Sequence, residues 1–556
     1  MNNTSQTLEQ INQLNREVVI LAGKGNINQA ISITQKAIKL TKEKIGEHQV
    51  LADSLNNLAE LYRIQGKYSE LQSLLIEVLE MRKQLLGENH PDIAQSLNNI
   101  AAFNVIQGNY SEAENYFFQA LHLLKINLGE EDEEIATILN NIAEVYQEQG
   151  RYIESEKMHI QALNMRKYLF GEEHPEVAQS LNNLATIYEK QARYQESEIM
   201  HVQALRIRKI CLGEEHLEVA QSLSHLGNVY LLEGLFLKAE KSYHQAYKIR
   251  KLFLNSEHPD IIQTLHNFAV LYIYKGDYQT AESIYLKILN SDEKNYGKKH
   301  PKYADKLNDL GKIYQRQGKY SEAEQKYLAA LTIRKNIFCK EHPDIIESIN
   351  IIAGIYRLQG RYDQAKDLYK ENYFIAKRLL GEMHPNVAGI LISLGVVYDA
   401  QSKHMEAEKV LTEALLIVGS QFGRNHPQAA VIMNNLATVY SSLGRYSDAE
   451  EICLKVLEIR KNIFGEEHPD ITNSYNNLAE IYLSQGKYIE AEKYYDLALS
   501  LRKQLLGENH PDVAFSLNNL STLYAAIKRY EEALSYRIQA SHIHDKLISN
   551  VFAFSS

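Results

Sequence analysis

GEEHPEVAQSLNNLATIYEKQARY, Gly171 to Tyr194, carries the marks that decide the fold. His174-Pro175 stands just ahead of an apolar run, and Asn182-Asn183, two poor helix formers, stands in its middle. The same words recur: GENHPDIAQSLNNIA begins at Gly87, GEEHPDITNSYNNLAEIY at Gly465 and GENHPDVAFSLNNLSTLY at Gly507. With histidine as marker, the slots are His48, His90, His174, His216, His258, His300, His342, His384, His426, His468 and His510. They lie 42 residues or a multiple of 42 apart, and Asp132 fills the one vacant step. Residues 49–552 are twelve such units with no insertion or deletion. A fixed period of this size is the signature of a stacked repeat. The 556 residues therefore predict one solenoid, not several separate cores.

Within the unit Pro175–His216, Val177, Ala178, Leu181, Leu184, Ala185 and Tyr188 mark one face of a helix. A second run from Tyr194 to Cys211 carries Met200, Ala204, Leu205 and Ile207. The turn between them reads Q-G-x-Y in most units, as in SQGKY at Ser484–Tyr488. Each unit is thus two antiparallel helices. All nine prolines occupy the slot after the histidine position. Proline costs nothing at the first helical residue, whose N–H has no partner there, and it keeps the preceding His out of the helical region. The Gly three residues before the His, as at Gly87 and Gly507, suits a left-handed residue closing the previous helix. Asn255 can adopt that conformation, whereas Cys339 is the odd occupant. A row of metal-ligating histidines is the competing reading. It is disfavoured because each unit offers one His, while a zinc site needs three or four ligands at about 2.0–2.3 Å.

The net charge of −10 offers no basic surface for nucleic acid. No apolar run approaches the roughly 18 residues of a membrane span, and MNNTSQTLEQ lacks the features of a signal peptide. Cys211, Cys339 and Cys453 share no slot and form no C-x-x-C pattern, which points to a reducing cytoplasm without a disulfide framework.

The pattern resembles the tetratricopeptide repeat. Leu184, Ala185, Tyr188, Tyr194, Ser197 and Ala204 carry that family's motif, as do Leu478, Ala479, Tyr482, Gly486, Tyr488, Ala491 and Ala498. The 42-residue period with LNNLA and ALxIRKxxLGEEHPD resembles the longer subtype of kinesin light chains and bacterial relatives. The resemblance implies an all-α solenoid, a right-handed superhelix of about thirteen helical pairs. Residues 1–48 read as a degenerate capping pair, with Gly25, Ala30 and Ala37 in repeat slots. Residues 49–552 are the twelve repeats, and 553–556 a short tail in which the apolar VFAFSS ends.

With Leu181 at the centre of the buried face, Gln179, Asn183, Thr186 and Lys190 fall on the opposite side of the first helix. In the family that side lines the concave groove. Its second Asn recurs as Asn57, Asn99, Asn141, Asn183, Asn267, Asn435, Asn477 and Asn519. An interior Asn costs roughly several tenths of a kcal/mol against Ala. Two explanations stand: an amide ladder that binds the backbone of an extended peptide, or bonds between repeats that set register. On the stripe, Asp53, Glu60, Glu144, Glu148, Asp305, Asp309, Glu347 and Glu480 outnumber Lys190, Lys312 and Arg316. The acidic cargo motifs and terminal carboxylates clamped by relatives need a basic groove, so neither ligand class transfers. The IRK pairs, such as Arg208-Lys209 and Arg460-Lys461, are expected to complement their own helix C-termini and nearby Glu. Where the ladder breaks, Ile351, Leu358, Val396 and Val431 predict an apolar groove patch.

The function these features imply is a non-enzymatic scaffold that binds partner proteins or peptides. The expected partner carries apolar and basic residues, with no cofactor, no metal, no nucleic acid and no membrane. A kinesin light chain-type cargo adaptor is the alternative, but residues 1–48 carry no sustained heptads for joining a heavy chain. LAGKGN at Leu21–Asn26 lacks phosphate-loop spacing, and neither H-E-x-x-H nor G-x-S-x-G occurs.

Overall fold

The computed structural model describes residues 2–23, 26–338 and 341–553, with the side chains of 2–4 and 546–553 excepted. Gly25, Cys339 and the end of the VFAFSS tail lie outside the described residues or side chains. Twenty-six helices and no strand are found among the described residues. The first helices of the pairs are α1 (Asn2–Gly23), α3 (Gln49–Ile64), α5 (Pro91–Ile106), α7 (Glu133–Glu148), α9 (Pro175–Lys190), α11 (Leu217–Leu232), α13 (Pro259–Tyr274), α15 (Pro301–Arg316), α17 (Pro343–Leu358), α19 (Pro385–Ala400), α21 (Pro427–Ser442), α23 (Pro469–Ser484) and α25 (Pro511–Ala526). The second helices are α2 (Ile27–Lys44), α4 (Tyr68–Leu86), α6 (Tyr110–Leu128), α8 (Tyr152–Phe170), α10 (Tyr194–Leu212), α12 (Phe236–Phe253), α14 (Tyr278–Tyr296), α16 (Tyr320–Ile337), α18 (Tyr362–Leu380), α20 (His404–Phe422), α22 (Tyr446–Phe464), α24 (Tyr488–Leu506) and α26 (Tyr530–Ala553). They form thirteen antiparallel pairs, each packed on the next. First helices also touch one another directly, as α5 with α7 and α9 with α11, so they form the inner wall of the curve.

The histidine slot does what the proline implies. His174 is extended (φ −132°, ψ 143°) and its side chain accepts the Glu176 N–H. Most second helices end on a glycine with φ near +85°, such as Gly87 and Gly213 (ψ 164° in both), a region essentially closed to residues with a Cβ. Asn255 does not follow. There α12 stops one residue early, Leu254 is extended at φ −119°, and the Asn255 side chain instead accepts the Glu257 N–H at 3.0 Å. The side-chain bond ends the helix without positive φ.

The spiral closes on itself. His342 Nδ1 accepts its own helix's Asp344 N–H at 3.1 Å. Its Nε2 donates to the carbonyl of Ile106, the last residue of α5, at 2.8 Å. The same bond joins His300 to Ile64, His384 to Glu148, His426 to Lys190, His468 to Leu232 and His510 to Tyr274, always 236 residues apart and at 2.8–3.3 Å. Six first helices of the second turn therefore stand end to end on six of the first. Each histidine satisfies an orphan N–H above and an orphan carbonyl below. The glycine of the lower turn makes the approach possible: a Cβ on Gly108 would lie 2.5 Å from Pro343 Cδ. Rings reinforce this seam, with Tyr68 on Phe338, Tyr152 on Phe422 and Tyr194 on Phe464 at centroid separations of 5.8, 4.9 and 5.8 Å.

Candidate functional site: the inner wall

The inner wall is built on first helices whose opposite face is core. Leu181, Leu184 and Ala185 are buried, which turns Asn183 and Lys190 inward to the lumen. Seven amides of the ladder are half-buried, and Asn267 is buried. Asn99 Nδ2 donates to Asn56 Oδ1 and Asn141 Nδ2 to Asn98 Oδ1, both at 2.7 Å, and Asn519 Nδ2 donates to Asn476 Oδ1 at 3.2 Å. These bonds tie each helix to the one before. Asn183 and Asn267 instead accept from Gln179 and Gln263 of their own helices. Ile351 and Leu358 are half-buried and rest against a core cluster containing Tyr327 and Ile355. Val396 is half-buried, and Val431 is 44% exposed.

The IRK arginines do meet nearby Glu residues as expected, Arg208 Nε lying 3.2 Å from Glu218 Oε2 and Arg166 Nη2 3.1 Å from Glu176 Oε2, but the rest of the expectation fails. They do not complement their own C-termini. Arg208 is 1% exposed, and its Nη1 donates to the Glu218 carbonyl at 3.1 Å and Ser222 Oγ at 2.9 Å, in the first turn of the next pair. Its Nη2 donates to Gln179 Oε1 at 2.7 Å on the inner stripe. Arg82, Arg334, Arg460 and Arg502 repeat the bonds to the residues ten and fourteen positions on. The sequence does hold a signal for this clamp. Within the twelve repeats, where an apolar residue replaces the arginine its partner fourteen residues on changes with it: Leu124 faces Ile138, Ala376 faces Ile390 and Val418 faces Ile432. The register is polar–polar or apolar–apolar, because a buried arginine without acceptors is costly. At Asp292 and Lys306 the charges are exchanged, and burial pushes the Asp292 carboxyl up to about 6 with Lys306 opposing it. The lysine of the IRK word does remain near its helix end: Lys209 pairs with Glu214 at 2.9 Å.

Two cavities lie on the inner wall. One, of about 300 Å³, is lined by Asp305, Asn308, Asp309, Lys312, Arg334, Asp344 and Glu347. Asn308 is 3% exposed, and neither its Oδ1 nor its Nδ2 has a partner. Burial raises the Asp305 carboxyl despite a 2.6 Å bond from Arg334. Asp309 lies near two ammonium groups, Lys312 at 3.2 Å and Lys306 at 3.6 Å, and 3.5 Å from the His266 ring, which burial lowers to about 4 and so keeps neutral. The second cavity, of about 250 Å³, sits at the seam and shares Asp344 and Glu347 with the first.

Stacked helix pairs around a lined lumen define a repeat solenoid built for contact along its length. The tetratricopeptide repeat model matches residues 50–125, 134–210, 218–294, 260–336, 344–417, 400–462, 428–491 and 470–541. The chain belongs to the tetratricopeptide repeat family, whose fold is generally a protein–protein interaction scaffold. No curated protein matches it. Among solved structures it is similar to BtubC (BKLC) from P. vanneervenii, with 26% identity over 44% of this chain and 94% of that one, at a TM-score of 0.34. It is also similar to a Podosopora anserina putative kinesin light chain of nearly identical TPR-like repeats, with 24% identity over 37% and 97% and a TM-score of 0.32.

Proposed function

We propose that the chain is a non-enzymatic scaffold that holds an extended segment of a partner protein along its inner wall, and that the segment carries a Lys or Arg beside apolar residues. The observation that carries this reading is Asn308. It is a buried amide with both polar atoms unpartnered, set among four carboxylates against Lys312 and Arg334. Buried amides normally find partners, and a ligand ammonium or guanidinium flanked by its own peptide groups supplies them. The same cation would relieve the raised Asp305. Ile351 lies one helical turn beyond Glu347 on α17 and offers an apolar surface next to the cation. The amide ladder can extend the grip to the ligand backbone through oxygens not used between repeats. Calorimetry with short peptides of apolar residues around one Lys, against the same peptides with norleucine or Glu, tests this. The Lys peptides should bind and the others bind at least tenfold more weakly. Equal binding of all three rejects the cation seat. Asn308→Leu should lower binding without lowering the melting temperature, since it removes a group with no bonds to lose.

A further inference from the structure

The seam between the two turns has two complementary faces, and the described residues display one of each unmated. Histidines of the first turn cap their own helices as the others do, as His90 does with Asp92 N–H at 3.2 Å. The Nε2 atoms of His48, His90, His174 and His216 meet no carbonyl among the described residues, and the His90 side chain is 41% exposed, against 5% for His342. At the other end, Gly318, Gly360, Gly444 and Gly486 have the same positive φ as the glycines of the seam, but nothing lies within 4 Å of where a Cβ would be. Gly66, Gly108, Gly150, Gly234 and Gly276 all meet a His-Pro there. The rings behave alike. Tyr446 and Tyr488 are 37% and 43% exposed, whereas Tyr152 and Tyr194 in the same slot of the lower turn are stacked.

We propose that the exposed glycine turns of one molecule receive the exposed His-Pro rim of a second copy, head to tail, through the contact that already joins the turns within one chain. Six pairs separate mated residues inside the molecule. Continuing that rule across two copies sets His48 over the Leu358 carbonyl, His90 over Ala400, His174 over Ser484 and His216 over Ala526. Pro91 then meets Ser402, and Phe170 meets Tyr446. Phe170 is already held against His174, with centroids 4.5 Å apart, as Phe464 is held against His468 at 4.0 Å beneath its own tyrosine stack. Asp132 alone fits poorly, because a carboxylate has no proton to give the Ser442 carbonyl. The interface joins two different faces, so it does not close at a dimer and leads to linear chains.

Sedimentation equilibrium of the 556-residue chain should show mass rising with concentration, and Ser402→Trp, which fills one seat, should hold it near the monomer. In a Cys211→Ser background, oxidising a mixture of Pro91→Cys and Ser402→Cys proteins should give a covalent dimer of one of each, because a Cβ in the equivalent seam position approaches the facing proline to 2.5 Å. Leu237→Cys, 81% exposed elsewhere, serves as the control partner. A mass that stays monomeric at all concentrations overturns the proposal. So does cross-linking that is no better with Ser402→Cys than with Leu237→Cys. Circular dichroism melts of each variant confirm that the folded chain is being compared.

Discussion

His342 Nε2 lies 2.8 Å from the carbonyl oxygen of Ile106, a residue 236 positions earlier. Both ring nitrogens are in use, Nδ1 as acceptor and Nε2 as donor, which fixes the neutral tautomer with its proton on Nε2. Protonation would place a second proton where the cap needs a lone pair.

Stability should therefore fall in mild acid. Burial lowers His300 to about 4, with Lys302 adding to the shift and the bond to Ile64 opposing it. His384 and His426 are lowered by burial as well. A group whose folded pKa lies below its unfolded value of about 6.5 gives its full contribution above pH 6.5. That contribution is lost as pH falls from 6.5 toward 4. For a shift the size of that at His300 the loss is on the order of 3 kcal/mol when complete. Melting temperature measured from pH 7.5 to 4.5 should be flat at first and then drop. Raised carboxyls such as Asp292, at about 6, act in the opposite sense, so the comparison is with His300→Ala, whose drop should be smaller; an equal drop contradicts the buried seam.

Position along the chain should decide what a histidine is worth. His174→Ala removes a cap and should cost about 1 kcal/mol. His342→Ala removes the cap and also leaves the Ile106 carbonyl unbonded, so it should cost roughly 2–3 kcal/mol. Urea unfolding of the two variants distinguishes them, and equal costs would mean that the inter-turn bond adds nothing.

The arginine clamp should be replaceable only as a pair. Arg208→Leu alone should destabilise by roughly 2–4 kcal/mol, because Ser222 and the Glu218 carbonyl lose their donor in a buried site. Adding Ser222→Ile recreates the Leu124–Ile138 arrangement already present in this chain and should recover most of the loss. The double-mutant cycle reads the coupling directly; additive effects would sink the idea.

Leu358→Ser with Val396→Ser tests the apolar part of the groove. Leu358 rests on the Tyr327–Ile355 cluster, so the double variant should melt a few degrees lower, well short of Tyr188→Ala, whose buried ring is worth on the order of 3 kcal/mol. If it still binds every peptide that the unchanged chain binds, the apolar contact lies elsewhere.

Helix pairs, caps and the non-core stripe were legible because they follow from local periods: proline at the first helical residue, apolar faces, glycine at the ends; that the stripe faces inward came only with the family resemblance. The seam was not, since no spacing in the sequence announces which unit meets His342 after a full turn. Gly108 read as an ordinary turn residue, and only its approach to Pro343 shows why no side chain fits. Ala192, at φ +58°, stands in that slot below His426, whose bond to Lys190 is 3.2 Å. The clamp could have been found by comparing units with one another: Arg208 with Ser222, Leu124 with Ile138. Cavity occupancy depends on distances that no repeat pattern encodes, and Asn308 stands in the slot of Asn182, beside the ladder, where nothing in the sequence singles it out.

The end-to-end seating of helices also changes how such a chain should unfold. In a linear array each module answers only to its nearest neighbours, and stability grows evenly with module number. Here the modules of the second turn answer as well to modules about 240 residues away. A series of chains truncated from the C-terminus should show an even increment per module through the first turn, then larger increments and sharper transitions once seam contacts begin at His300. Refolding of the longer members should slow accordingly, because contacts so distant along the chain form only after both turns have wound.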